Sequence, residues 1–163
     1  MGIEIERKFL VKNDAWRDGV GKLLCQGYLS LDPDRTIRVR IADDEAWLTI
    51  KGRAVGTRRV EYEYAIPLDD ARELLQMTAG SPVEKRRYCI PHAGFVWEVD
   101  EFLGENAGLV VAEIELPSED AQFDLPAWVG PEVTHEARYL NANLVQFPYS
   151  RWSIELRDGS AGH

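Results

Sequence analysis

Among the like-charged residues of this chain that stand two positions apart, six pairs stand out: Glu4 and Glu6, Arg38 and Arg40, Glu61 and Glu63, Lys85 and Arg87, Glu98 and Asp100, Glu113 and Glu115. Lys8 continues the first pair in phase, Arg59 precedes the third in phase, and Lys51 shares its phase with Thr49 and Trp47. On an extended strand a step of two residues returns to the same face, so each set points one way. Clustered arginine and lysine grip a polyanion through charge-assisted hydrogen bonds, and carboxylates hold hard divalent cations such as Mg²⁺ or Mn²⁺. Together they suit a phosphate chain bridged to a divalent metal.

The elements that carry these residues are short alternating segments. Candidate strands run over 3–11, 23–31, 36–42, 46–53, 57–66, 83–90, 95–102 and 109–116. Turn chemistry separates them at Asp32-Pro33-Asp34, Asp43-Asp44, Gly52 to Gly56 and His92-Ala93-Gly94. Eight such strands at this spacing predict a mainly β (α+β) fold, an antiparallel meander closed into a barrel. Pro67-Leu68-Asp69-Asp70 starts a helix that Gly80-Ser81-Pro82 stops. Further short helices are expected around Trp16 (13–22), over 135–147 and over 151–156. One domain over 1–157 with a flexible tail at 158–163 accounts for the length of 163 residues.

Which face is inside decides the function. Opposite the charges lie Ile3, Ile5, Phe9 and Val11 (with Arg7 as a misfit), Ile37, Val39 and Ile41, Leu48 and Ile50, Val60, Tyr62 and Tyr64, Trp97 and Val99, Ala112 and Ile114. A barrel with the apolar faces inward and solvated charges outside is physically sound. Two features favour the inverse. The acids and bases are sorted strand by strand instead of being interleaved with Ser, Thr, Asn and Gln. Glu and Asp are also poor strand formers, and departures from a local rule gather at functional sites. The inverse barrel encloses eight acids (Glu4, Glu6, Glu61, Glu63, Glu98, Asp100, Glu113, Glu115) and seven bases (Lys8, Arg38, Arg40, Lys51, Arg59, Lys85, Arg87). Charges buried on that scale must be paired, hydrated or neutralised by a ligand, and eight strands leave room for one small ligand.

Other chemistries fit poorly. A formal net charge of -9 disfavours general nucleic-acid binding, which needs surplus Lys and Arg against phosphates. Two cysteines and three histidines show no zinc-ligand spacing and no disulfide framework. No apolar run is long enough to span a bilayer and the charged start is no secretory signal, so a cytoplasmic protein is expected, a monomer or homodimer with a small polyanionic partner. Gly19-Val20-Gly21-Lys22 lacks the glycine spacing and the hydroxyl of a phosphate loop and reads as a turn.

The ordered set Glu4-x-Glu6-x-Lys8, Arg38-x-Arg40, Lys51, Glu61-x-Glu63, Lys85-x-Arg87, Glu98-x-Asp100 and Glu113-x-Glu115 resembles the CYTH superfamily, the triphosphate tunnel metalloenzymes, over nearly the whole chain. Gln26-Gly27-Tyr28-Leu29 and Arg138-Tyr139-Leu140-Asn141 are similar to its short bacterial members. The resemblance implies an eight-stranded antiparallel tunnel with a charged interior and peripheral helices, dependence on Mg²⁺ or Mn²⁺, and chemistry on triphosphates. It implies that Lys8, Arg38, Arg40, Lys51, Lys85 and Arg87, with Arg59 beside them, grip the phosphates. Glu4, Glu6, Glu113 and Glu115 become the leading metal ligands. Glu61, Glu63, Glu98 and Asp100 bind a second metal, position water or hold the bases in place. Glu6, Lys8 and Lys85 are the candidate catalytic groups, with water oriented by a carboxylate such as Glu6 attacking a terminal phosphorus.

The activity expected is hydrolysis of inorganic triphosphate to pyrophosphate and orthophosphate. Sister activities are adenylate cyclisation, whose bacterial enzymes usually carry an aromatic segment before the first motif, and thiamine triphosphate hydrolysis, for which Trp47 could stack on a ring. A noncatalytic polyphosphate or nucleotide sensor is the alternative of another class. Tyr28 and Arg138 are candidates to reach the substrate, against packing roles for both.

Overall fold

The computed structural model describes residues 2–157, so the expected tail at 158–163 lies outside the described residues. Nine strands form: β1 (Ile3–Val11), β2 (Lys22–Ser30), β3 (Arg35–Ala42), β4 (Glu45–Gly52), β5 (Arg58–Ala65), β6 (Ala79–His92), β7 (Phe95–Phe102), β8 (Val110–Glu115) and β9 (Val129–Glu132). Helix α1 (Leu68–Leu75) joins β5 to β6, and α2 (Asn141–Gln146) and α3 (Ile154–Arg157) follow β9. The first eight strands close into an antiparallel barrel in the order β1-β5-β4-β3-β2-β6-β7-β8, back to β1.

This is not the simple meander that the spacing suggests. β1 does not pair with β2; it sits between β5 and β8, and β2 pairs with β6. Two runs of hairpins, β2 to β5 and β6 to β8, are stitched by β1 on one side and the β2–β6 ladder on the other. β1 serves three partners. Phe9 pairs with Ala112 of β8 and with Glu132 of β9, so those two strands occupy opposite edges of β1. β5 pairs with Ile3 to Ile5, and β9 takes Phe9 to Val11. Four residues containing Gly130 and Pro131 do not read as a strand locally, and β9 exists because β1 offers it an open edge. Gly130 suits the close approach, since a Cβ would stand 3.2 Å from the Leu10 carbonyl oxygen and the backbone would have to give slightly. β9 also explains the misfit at Arg7, whose guanidinium points outward onto both carboxylate oxygens of Glu132 at 2.6 and 2.8 Å.

The apolar faces are covered from outside. Ile5, Phe9, Trp97, Val99, Ala112 and Ile114 pack under Trp16, Trp128 and Phe123. Val39 and Ala46 pack under Ala71, Leu74 and Leu75 of α1. The segment around Trp16 is bends and turns, not the expected helix; the indole is buried edge-on to Tyr88 at 5.1 Å and anchors the crossing without regular backbone. β6 begins at Ala79, so Gly80-Ser81-Pro82 starts a strand instead of ending in a loop. Of the helix expected over 135–147 only the six residues of α2 are α-helical.

A third apolar cluster lies inside. Along four strands the interior phase runs from charged to apolar: Glu4, Glu6, Lys8, Leu10; Arg87, Lys85, Val83; Glu98, Asp100, Phe102; Glu115, Glu113, Val111. Leu10, Val83, Phe102 and Val111 pack against Tyr139, Leu144 and Trp152. The C-terminal segment therefore stoppers one end of the barrel, with Val145 seated so closely over Gly80 that a Cβ there would stand 2.6 Å from it. Among the described residues no helix is long and apolar enough to cross a membrane.

The β6–β7 hairpin turns on Ala93 and Gly94, both at positive φ (49° and 86°). Alanine is strained there, and Asn-Gly is the favoured pair for a two-residue turn of this kind. Ala93→Asn is expected to raise stability by about 0.5–1 kcal/mol, read as a rise of a few degrees in Tm; an unchanged or lower Tm would place no strain at this turn.

Candidate functional site

The interior of the barrel is a cavity of about 520 Å³. Every one of the fifteen charges assigned to the interior lines it except Asp100: Glu4, Glu6, Lys8, Arg38, Arg40, Lys51, Arg59, Glu61, Glu63, Lys85, Arg87, Glu98, Glu113 and Glu115. Asp100 is fully buried beneath Lys85 and Arg87. Its oxygens accept from Lys85 Nζ at 2.7 Å and from Arg87 Nε and Nη2 at 2.8 and 3.0 Å, so it holds two bases in place and faces no ligand. Tyr28 lines the cavity and Trp47 does not. Arg138 lies over Tyr139 and Trp152 and pairs with Glu136 at 2.9 Å, fastening the stopper.

Strand order sorts the charges into arcs. β3 and β6, flanking β2, present Arg38, Arg40, Lys85 and Arg87, while β7, β8 and β1 present Glu98, Glu113, Glu115, Glu4 and Glu6, with Lys8 set among them. β4 and β5 are mixed: Lys51 Nζ reaches Glu4 at 3.1 Å and Glu61 at 3.2 Å, and Arg59 is held by the Gly52 carbonyl at 2.8 Å.

Within the basic arc Arg87 is well paired, with Glu98 and Asp100, but Arg40 and Lys85 are not fully compensated. Burial first, then Arg38 and Arg87, push Arg40 down to about 10, with Asp100 opposing. Lys85 is pushed down to about 7, by burial above all and by Arg87 and Arg40, again against Asp100. Arg38 Nε is buried with no hydrogen-bond partner among the described residues. Cations held at this cost and an orphaned donor suit an anion that takes several hydrogen bonds at once.

The acidic arc is crowded in the opposite sense. Glu6 pairs directly with Glu115, and Glu98 with Glu113, across adjacent strands. Like charges directly opposite destabilise a sheet. Burial raises Glu115, and Glu4, Glu6 and Glu98 raise it further. Glu4 and Glu98 are also raised, each chiefly by burial. Glu6 differs: burial opposes its ionisation, but Lys8 at 2.5 Å and Lys51 outweigh it and hold the carboxyl below its usual range. Among the described residues no three of His, Cys, Asp and Glu gather into a ready cage for a metal. An all-oxygen acidic wall facing a phosphate-binding wall nevertheless fits Mg²⁺, which is held by one or two carboxylates and completed by substrate oxygens and water.

Four uncharged residues complete the site and escape a search for charges. Thr36 accepts from Arg59 at 3.4 Å, and Thr49 lies between Arg38 at 3.2 Å and Glu63 at 2.9 Å. Gln26 and Asn141 link Arg40 to Lys85. Phase alone signals Thr36 with Arg38 and Thr49 with Lys51, whereas Gln26 and Asn141 lie in the two stretches similar to short bacterial members of the family.

The chain matches the CYTH domain family over residues 2–149. It is similar to the inorganic triphosphatase of Acetivibrio thermocellus, with 53% identity over 154 residues covering 93% of this chain and 99% of that protein. It is also similar to the inorganic triphosphatase of Nitrosomonas europaea, with 39% identity over 146 residues covering 86% and 95%. A solved structure described as an inorganic triphosphatase superposes with a TM-score of 0.62 at 38% identity, covering 86% of this chain and 96% of that one.

Proposed function

Because this chain belongs to the CYTH domain family, we propose that its barrel hydrolyses inorganic triphosphate to pyrophosphate and orthophosphate with the help of Mg²⁺ or Mn²⁺. The observation that carries this is the division of one cavity wall into a basic arc and an acidic arc. The near-full-length similarity to two inorganic triphosphatases supports it.

Arg38, Arg40, Lys85 and Arg87 bind the phosphate chain, with Lys51 and Arg59 reaching it from β4 and β5. Glu4, Glu6, Glu113 and Glu115 would hold the divalent cation, with Glu98 at the margin of that set. When bound, the cation supplies Lewis-acid stabilisation of the phosphoryl oxygens and acidifies water. Glu6, kept ionised by Lys8, orients the attacking water in line with a terminal phosphorus. Lys8 and Lys85 stabilise charge on the equatorial and leaving oxygens, so no covalent nucleophile is required. Glu61 and Glu63 hold Lys51 and Arg38 in position.

The cavity also discriminates among triphosphates. Among the described residues Tyr28 is the single aromatic side chain lining it, which leaves no pair of rings to sandwich a base or thiazole. Inorganic triphosphate is accordingly preferred over ATP and thiamine triphosphate. We place the protein in the cytoplasm as a monomer or homodimer, with no nucleic-acid partner given its net charge of -9.

The test is product analysis with purified protein and Mg²⁺ or Mn²⁺, offering tripolyphosphate, ATP and thiamine triphosphate in parallel. Orthophosphate is expected chiefly from tripolyphosphate, and release should stop when EDTA removes the metal. Cyclic AMP and pyrophosphate from ATP, or no turnover of any of the three, would overturn the proposal.

A further inference from the structure

Two stretches singled out in the sequence, Gln26 to Leu29 and Arg138 to Asn141, have no part in the chemistry above, yet the fold brings them together. Asn141, at the start of α2, lines the cavity at its stoppered end. Its Oδ1 accepts from Lys85 Nζ at 2.8 Å and from Gln26 Nε2 at 2.9 Å. Gln26 is wholly buried, and its Oε1 accepts from Arg40 Nε at 2.9 Å. The amide orientations follow from the ends of this chain of bonds. Lysine and arginine only donate, so the Asn141 atom facing Lys85 is oxygen, the Gln26 atom facing that oxygen is nitrogen, and the Gln26 atom facing Arg40 is oxygen.

We propose that Asn141, acting through Lys85 and through Gln26 on Arg40, is the positioning residue that sets the anion-binding geometry at the closed end of the cavity. The inference rests on the triphosphatase reading and deepens it. Buried cations that repel one another need fixed acceptors to aim them. Asp100 fixes Lys85 and Arg87 from beneath them, and among the described residues Arg40 donates its side-chain hydrogen bond to Gln26. Unlike Asp100, a neutral acceptor aims a cation without adding a charge that offsets its attraction for phosphate. Because Asn141 belongs to the stopper, seating of the C-terminal segment and aim of the basic arc become one event.

The experiment measures binding of tripolyphosphate in EDTA by calorimetry, then KM and kcat with Mg²⁺, for wild type, Asn141→Leu, Asn141→Asp, Gln26→Leu and the Gln26→Leu/Asn141→Leu double variant. Asn141→Leu removes an acceptor from a charged donor and is expected to weaken binding and raise KM about tenfold or more, with a fall in kcat as well because Lys85 is no longer aimed. Asn141→Asp keeps the oxygen but adds a negative charge facing the anion, so it should also bind more weakly than wild type, and wild-type affinity in this variant would overturn the role given to a neutral acceptor. The double variant should bind no more than about twofold worse than Asn141→Leu, since the two amides act as one unit. If Asn141→Leu does not fold, Asn141→Ala removes the same oxygen with less bulk. Wild-type affinity and KM in the leucine or alanine variant, or a loss confined to Tm, would overturn the assignment of Asn141 while leaving the triphosphatase standing. Failure of wild type to bind tripolyphosphate at all would overturn both.

Discussion

Glu6→Gln is expected to lower kcat for tripolyphosphate about 10²–10⁴-fold while the protein stays folded. The substitution keeps the size of the side chain and removes only its charge. Glu6 is the acidic-arc carboxylate held below its usual range, because Lys8 at 2.5 Å outweighs the burial that opposes ionisation. Its neighbours Glu4, Glu98 and Glu115 are raised instead, each chiefly by burial. Lys8 keeps a partner in the variant, Glu113 at 3.7 Å, which argues that the fold survives. The measurement is steady-state orthophosphate release across a titration of Mg²⁺, with circular dichroism to check folding. A folded variant that turns over at the wild-type rate would remove Glu6 from the mechanism. Full recovery at high Mg²⁺ would restrict its role to holding the cation.

Asp100→Asn is expected to destabilise the protein by about 3–5 kcal/mol, because it strips the counter-charge from two cations while leaving them inside. Asp100 is 0% and Lys85 1% exposed, so water cannot replace what the carboxylate provides. Asp100 lies well below the usual carboxylate range: burial opposes its ionisation, and Lys85 and Arg87 together overcome this. A group so depressed contributes stability that is present above its unfolded pKa of about 3.9 and lost as pH falls below it, so the full penalty should appear at pH 7. For a chain of this size the loss corresponds to roughly 6–20 °C in Tm. Adding Lys85→Met should return part of it, since one of the stranded charges is then gone. A Tm within 2 °C of wild type, on the order of 1 kcal/mol or less, would mean that the pair is not held as tightly as its geometry indicates.

The two experiments separate roles that the sequence cannot. Glu6 and Asp100 each stand two residues from another acid on a strand of a charged set, and nothing local distinguishes them. One lines the cavity beside a lysine. The other does not line it and is saturated by two bases from the adjoining strand.

The sequence by itself determined the eight strands of the barrel, the turn at His92-Ala93-Gly94, helix α1 and the set of inward charges, because side-chain phase along a strand is a local property. Its family resemblance then chose between the two faces that phase alone left open. What only the tertiary structure decided depends on which strands meet. Placing β1 between β5 and β8, and β2 beside β6, gathers acids on one arc and bases on another. The edge of β1 left open beyond β5 creates β9, which no local pattern announces. The interior phase turns apolar at Leu10, Val83, Phe102 and Val111, but only the docked C-terminal segment shows that this end is closed. Gln26 and Asn141 are 115 residues apart, and their joint hold on Lys85 and Arg40 exists because the barrel and its stopper bring distant backbone together, which phase along one strand does not encode.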